Sequence, residues 1–122
     1  MILAVDDSDE ILWLLERMLE SAGHQVMLGR NGREALALAH AHRPELIVMD
    51  VMMPEMDGLE AVKSLRACDE TSRIPVILVS AKGEEDDVAA GYESGADSYV
   101  AKPFTRKQIL TAVDLVLKKP AH

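Results

Sequence analysis

The sequence predicts an α/β fold: a doubly wound, five-stranded parallel sheet with helices on both faces. Three observations carry this. Short apolar runs recur at Ile2–Val5, Val26–Leu28, Leu46–Met49 and Val76–Val79, with a weaker one around Tyr99–Ala101, and each reads as a buried strand. Segments of helical periodicity lie between them. The connections are too short for a second domain, so right-handed crossovers yield a single parallel sheet across residues 1–122. For five such strands the common order is 2-1-3-4-5, the flavodoxin-like arrangement, with ligands beyond the carboxyl ends of strands one and three.

The helices follow in order. Ile11, Leu12, Leu15, Met18, Leu19 and Ala22 share one face and stop at Gly23, with Asp7, Ser8 or Asp9 as the N-cap. Asn31 with Glu34 opens the second helix, which carries Ala35, Leu36, Leu38 and Ala39 before Pro44. Asp57 with Glu60 opens the third, ahead of Leu59, Val62 and Leu65, and Thr105 with Gln108 opens the fifth, ahead of Ile109, Val113, Val116 and Leu117. A weaker fourth helix is expected from about Glu84 to Glu93, its acidic start favoured by the helix dipole. On the first helix Trp13 falls opposite the apolar stripe and is expected to be exposed.

Composition narrows the function. With 13 basic and 21 acidic side chains the net charge is −8, which argues against direct nucleic-acid binding. Cys68 is the only cysteine and reads as an inert thiol in a reducing compartment. No apolar stretch reaches the ~18 residues of a membrane span. Met1–Asp7 has no basic leader region, so a cytoplasmic location without membrane insertion is expected. The scattered histidines at 24, 40, 42 and 122 suggest no histidine metal site.

The residues that end the apolar runs carry the chemistry: Asp6 and Asp7 after strand one, Asp50 after strand three, Ser80 after strand four and Lys102 after strand five. All five are expected at one sheet edge. Carboxylates this close repel by up to ~4 kcal/mol per pair at an effective dielectric near 20, and a hard divalent cation resolves the strain. Mg²⁺ suits a sparse carboxylate cluster and would leave Lys102 as the balancing charge. Each acid singly reads as a helix or edge cap, but Asp50 closes an apolar strand and has no capping role. Met52 and Met53, next along, read as core fillers.

In order and spacing, Val5-Asp6-Asp7-Ser8, Asp50-Val51-Met52-Met53-Pro54 with Asp57-Gly58, Val79-Ser80-Ala81, Gly95-Ala96-Asp97-Ser98-Tyr99 and Lys102-Pro103-Phe104 resemble the receiver domains of bacterial two-component response regulators, typified by the chemotaxis response regulator. The resemblance covers essentially the whole chain. It implies that Asp50 is the phosphoacceptor and that Asp7, Asp50 and the Met52 carbonyl ligate Mg²⁺, with Asp6 acting through water. It further implies that Ser80 is the switch hydroxyl, Lys102 the phosphate-pairing lysine and Tyr99 the switch aromatic, and that Met52 and Lys82 tune phosphoryl lifetime. A cis Lys102-Pro103 bond is expected from it as well.

The partners it implies are a sensor histidine kinase or histidine phosphotransfer protein, met through Glu10, Leu14 and Arg17 with Trp13 at the margin, and a downstream target or fused output domain. The fourth helix, fifth strand and fifth helix would form the output face, with self-association through it as a further option. No output domain is expected within these residues. The chain would be no enzyme beyond its own phosphorylation and dephosphorylation. The rival is a small Mg²⁺-dependent phosphohydrolase with an aspartate nucleophile, whose attacking acid more typically follows strand one. A flavin binder fits less well, since Asp6, Asp7 and Asp9 would repel a flavin phosphate.

Overall fold

A computed structural model describes residues 1–81 and 95–118. Its strands are β1 (Ile2–Val5), β2 (Val26–Gly29), β3 (Leu46–Asp50), β4 (Val76–Ser80) and β5 (Ser98–Ala101). Its helices are α1 (Asp9–Ser21), α2 (Gly32–His42), α3 (Gly58–Ala67) and α4 (Arg106–Leu117). The sheet is parallel throughout in the order β2-β1-β3-β4-β5, as expected. The helix expected over 84–93 lies outside the described residues, as does Lys82.

β1, β3 and β4 are buried along their whole length, because helices cover the sheet on both faces. Alternate residues therefore feed two separate cores. Leu3, Val5, Ile47, Met49, Val76 and Leu78 pack under α2 and α3. Ile2, Ala4, Leu46, Val48, Ile77 and Val79 pack under α1 and α4. α1 buries Leu12, Leu15 and Leu19, while Ala22 is the exposed C-cap residue outside that stripe.

The helix starts form where the side chains allow. Ser8 caps α1 through Ile11 N–H, Asn31 caps α2 through Glu34 N–H, and Asp57 caps α3 through Glu60 N–H. Thr105 and Gln108 close a reciprocal capping box on α4. Each such cap contributes about 1 kcal/mol. They also set where each strand-to-helix turn is released, and so fix the carboxyl edge of the sheet.

Three strands, β2, β3 and β4, run one residue further at their carboxyl ends than the apolar pattern marked. Asp50 and Ser80 are the last residues of β3 and β4, since their backbones still pair in the ladder although their side chains are polar. Met52 corrects an expectation: its side chain is 58% exposed, whereas Val51 and Met53 are buried in the core. Val51 and Met53 turn inward and leave the residue between them in solvent.

Candidate functional site

The site begins with two acids that the sheet buries. Asp6 follows β1 and is 1% exposed, while Asp50 ends β3 and is 5% exposed. β1 and β3 are neighbours, so their carboxyl ends present both side chains to one edge. Asp7, the next residue of the chain, is exposed at the rim. One carboxylate oxygen from each of Asp6, Asp7 and Asp50 lies within 4.8 Å of the others.

Lys102 reaches in from the chain after β5. Its Nζ donates to Asp6 Oδ2 at 3.0 Å and lies 3.2 Å from Asp50 Oδ1. The Lys102-Pro103 peptide bond is cis, as expected. The second oxygen of Asp6 accepts the Ser8 N–H at 2.9 Å. Asp6 is thus held on both oxygens, by a lysine and by the turn into α1.

The charges do not balance, because two buried acids and a third at the rim share one lysine. Burial pushes the Asp50 carboxyl up from 3.8 to about 6; the Asp6 charge adds to this, Lys102 opposes it, and Asp7 adds a smaller increment. Burial alone would lower the Lys102 ammonium, but its hydrogen bonds and charge contacts with Asp6 and Asp50 win and hold it above 10.5. At neutral pH Asp50 is therefore mainly an anion, and an uncomfortable one. An all-oxygen donor set carrying excess negative charge fits a hard divalent cation, with Mg²⁺ the natural choice for so few protein ligands.

The loop after Asp50 is held by backbone. Val51 N–H bonds the Val79 carbonyl and Gly58 N–H bonds the Val51 carbonyl, both at 2.9 Å. A side chain on Gly58 would place its Cβ 2.4 Å from the Asp50 carbonyl oxygen, so only glycine lets α3 begin this close to the acid. Gly58 belonged to the motif on which the resemblance rests, yet nothing in the sequence alone indicated this contact. Met52 sits in the same loop, with its side chain in solvent.

Ser80 is buried at the end of β4, opposite Ala101 in the register. Tyr99 stands opposite Leu78, two residues earlier on each strand, and packs half-buried against the core under α2 and α3. The two lie on the same face of the sheet, about 7 Å apart along the strand direction.

Sequence reasoning missed one charged group. Arg66 on α3 donates to the Gly95 and Ile74 carbonyls at 3.1 and 2.7 Å and pairs with Asp97 at 3.0 Å. Asp97 Oδ2 also accepts the Val76 N–H. This knot fastens α3 to the turns that lead into β4 and β5, and so fixes the strands that carry Ser80 and Lys102. An arginine inside an amphipathic helix gives no signal of its own; its partners are up to 31 residues away.

The family model for the response regulator receiver domain matches residues 2–114. Among curated relatives, the alkaline phosphatase synthesis transcriptional regulatory protein PhoP of Bacillus subtilis is 41% identical over 118 residues, which are 97% of this chain and 48% of that protein. Protein PilH of Pseudomonas aeruginosa is 40% identical over 95% of this chain and 96% of its own length. The chain thus spans about half the length of the transcriptional regulators it matches and nearly all of PilH. Among solved structures, Vibrio cholerae chemotaxis protein CheY4 superposes with a TM-score of 0.89 at 34% identity, covering 94% of this chain and 96% of that one. The receiver domain of a Pseudomonas aeruginosa sensor histidine kinase, determined with magnesium coordinated in its active-site cleft, reaches 0.90 at 30% identity and 97% coverage of both chains. These matches do not favour a phosphohydrolase. The chain belongs to the response regulator receiver domains of two-component signalling systems.

Proposed function

We propose that residues 1–122 work as one phosphoacceptor unit: Asp50 takes a phosphoryl group from a histidine kinase or phosphotransfer protein, and the change is read out on a partner-binding face. The observation that carries this is the buried Asp50 carboxylate, with Lys102 Nζ 3.2 Å from one oxygen and two further acids beside it. Asp7, Asp50 and the Met52 carbonyl would hold Mg²⁺, with Asp6 one water removed. The bound ion would supply positive charge to the phosphoryl oxygens during transfer.

The chain's own residues do the rest. An Asp50 oxygen forms a bond to phosphorus as the bond to the donor nitrogen breaks, and the donor imidazole keeps that electron pair. Lys102 is already in the pocket and pairs with the phosphoryl oxygens. The product places about −1.5 to −2 charge beside Ser80 and Lys102, enough for one to three charge-assisted hydrogen bonds. The Ser80 hydroxyl is drawn to it, and Tyr99, on the same face one step along the sheet, repacks with it. Beyond gaining and losing this group the domain catalyses nothing, and it works in the cytoplasm.

The face that would change includes a groove of about 430 Å³ between β5 and α4, lined by Tyr99, Lys107, Gln108, Thr111 and Leu115. A downstream target, a fused output domain or a second copy would bind there. The share of this face expected from 84–93 lies outside the described residues. The donor would dock on the flank of α1 through Glu10, Leu14 and Arg17. On that flank Trp13 is 56% exposed and the Arg17 guanidinium lies 5.6 Å from its ring centre, which supports an accessible margin there.

Intact-mass measurement with acetyl phosphate tests the assignment. The wild type should gain one phosphoryl group only when Mg²⁺ is present, and Asp50→Asn should gain none. Full incorporation in Asp50→Asn, or incorporation indifferent to chelation, overturns it.

A further inference from the structure

We infer that a second cation site, of a different chemical class, lies at the opposite end of the molecule, where His40, Cys68 and Glu70 form a centre for a borderline divalent ion such as Zn²⁺. α2 and α3 both start at the carboxyl edge of the sheet and run back to its amino edge. His40 lies in the last turn of α2, and Cys68 is the C-cap of α3. The site is thus about 15 Å from the acidic pocket, the length of the ten-residue α3. Two helix C-termini, each carrying a partial negative charge, meet there and favour a cation.

The ligand set is one imidazole, one thiol and one carboxylate, and one ligand atom from each lies within 4.8 Å of the others. His40 Nδ1 is 3.4 Å from Glu70 Oε2. Tetrahedral Zn²⁺ with bonds of about 2.0 to 2.1 Å sets its nitrogen and oxygen ligands about 3.3 to 3.4 Å apart, so this edge already has the required length. Edges to sulfur need about 3.6 Å, within about 1 Å of the present limit and within reach of a rotation of the half-buried Cys68 side chain. A fourth position would be open to water. Mg²⁺ would be rejected here, since nitrogen and sulfur are poor ligands for it.

The supporting frame is rigid. Thr71 is fully buried; its hydroxyl donates to the Leu65 carbonyl at 2.8 Å and its N–H to the Cys68 carbonyl at 3.1 Å, which fixes the turn that carries Cys68 and Glu70. Arg43 is the competitor. It contacts Glu70 Oε2 at 2.9 Å and also donates to the Glu70 and His40 carbonyls. It ties the same two segments together that the ion would join, and the ion must displace its guanidinium from the carboxylate. Binding deprotonates Cys68 and releases that proton to solvent.

Co²⁺ as a spectroscopic substitute tests this, because the chain has a single cysteine and a sulfur-to-cobalt charge-transfer band can arise only there. The wild type should show that band together with the visible intensity of four-coordinate cobalt, abolished by Zn²⁺ and indifferent to excess Mg²⁺. Cys68→Ser should lose the band. His40→Ala and Glu70→Gln should each weaken binding by at least the ~10-fold that loss of even an outer-shell partner costs. Arg43→Gln should strengthen it about fivefold by removing a neighbouring positive charge. Far-UV circular dichroism confirms that each variant is folded. Absence of the band in the wild type, equal binding in His40→Ala and Glu70→Gln, or a band that forms only with dimers and so reports cobalt bridging two chains would each overturn the site.

Discussion

Two ion clusters among the described residues behave in opposite ways, a half-buried one around Arg66 and one around Lys102 whose acids Asp6 and Asp50 are almost fully buried. At Arg66 the charges match: one guanidinium, one carboxylate, two carbonyls and an N–H close a network with Asp97 at its centre. At Lys102 they do not, for one ammonium lies between two buried acids with a third at the rim. The matched cluster holds β4 and β5 in place. The mismatched one has a raised Asp50, in keeping with the phosphoacceptor role proposed for it. The difference teaches that charge imbalance together with deep burial sets the Lys102 cluster apart from a structural tie.

Removing the strained charge is the strongest way to break the comparison. In metal-free protein the rise of Asp50 from 3.8 to about 6 corresponds to about 3 kcal/mol. The folded state keeps this proton between pH 4 and 6, where the unfolded chain has released it, so the cost of the buried anion is absent below about pH 4 and complete above about pH 6. Asp50→Asn should therefore be more stable than wild type by up to about 3 kcal/mol above pH 6, the two converging below pH 4. Denaturant unfolding across pH measures it. Equal stability at pH 8 would mean that the acid is not strained.

Arg66→Ala should act in the opposite sense. It leaves Asp97 and the Gly95 and Ile74 carbonyls short of a donor in a half-buried setting, and should cost about 2 kcal/mol. The folded fraction should still take up a phosphoryl group on Asp50. Loss of uptake in folded Arg66→Ala would make the knot part of the chemistry.

Ser80→Ala touches the readout more than the reaction. A charge-assisted bond from the hydroxyl contributes about 1.5 to 3 kcal/mol, enough to shift a two-state equilibrium roughly 10- to 150-fold. The variant should still react at Asp50, while NMR shifts induced by beryllofluoride at Tyr99 shrink. Unchanged Tyr99 shifts would uncouple the two. The smallest effect is expected at Trp13→Ala. Its exposed ring and the Arg17 contact contribute about 0.5 to 1 kcal/mol, so stability should change by less than the other variants while kinase-dependent phosphorylation slows. Equal slowing with acetyl phosphate would place the defect in the pocket instead.

Much of this was legible in the sequence because it depends on local pattern. The apolar runs located all five strands, and short cap motifs at Asn31, Asp57 and Thr105 located three helix starts, while Ser8 was one of three candidate caps, with Asp7 and Asp9, for the first helix. Asp6, Asp50, Ser80 and Lys102 could be gathered at one edge because parallel strands share a direction. What stayed hidden depends on contacts distant in the chain. That Arg66 reaches Asp97 and that Gly58 lies against the Asp50 carbonyl are products of packing. Met52 went the other way: a methionine beside a buried strand reads as core, and only the course of the loop turns it to solvent.

The central claim is that the excess negative charge around Asp50 is completed by a divalent cation, and thermal unfolding at pH 8 with increasing Mg²⁺ tests it most directly. The wild type should melt at higher temperature as Mg²⁺ rises, following the mass-action form expected for one site, and Asp50→Asn, with one acid fewer and no strain to relieve, should respond far less. Equal stabilisation of both proteins, or none in the wild type, would contradict the account.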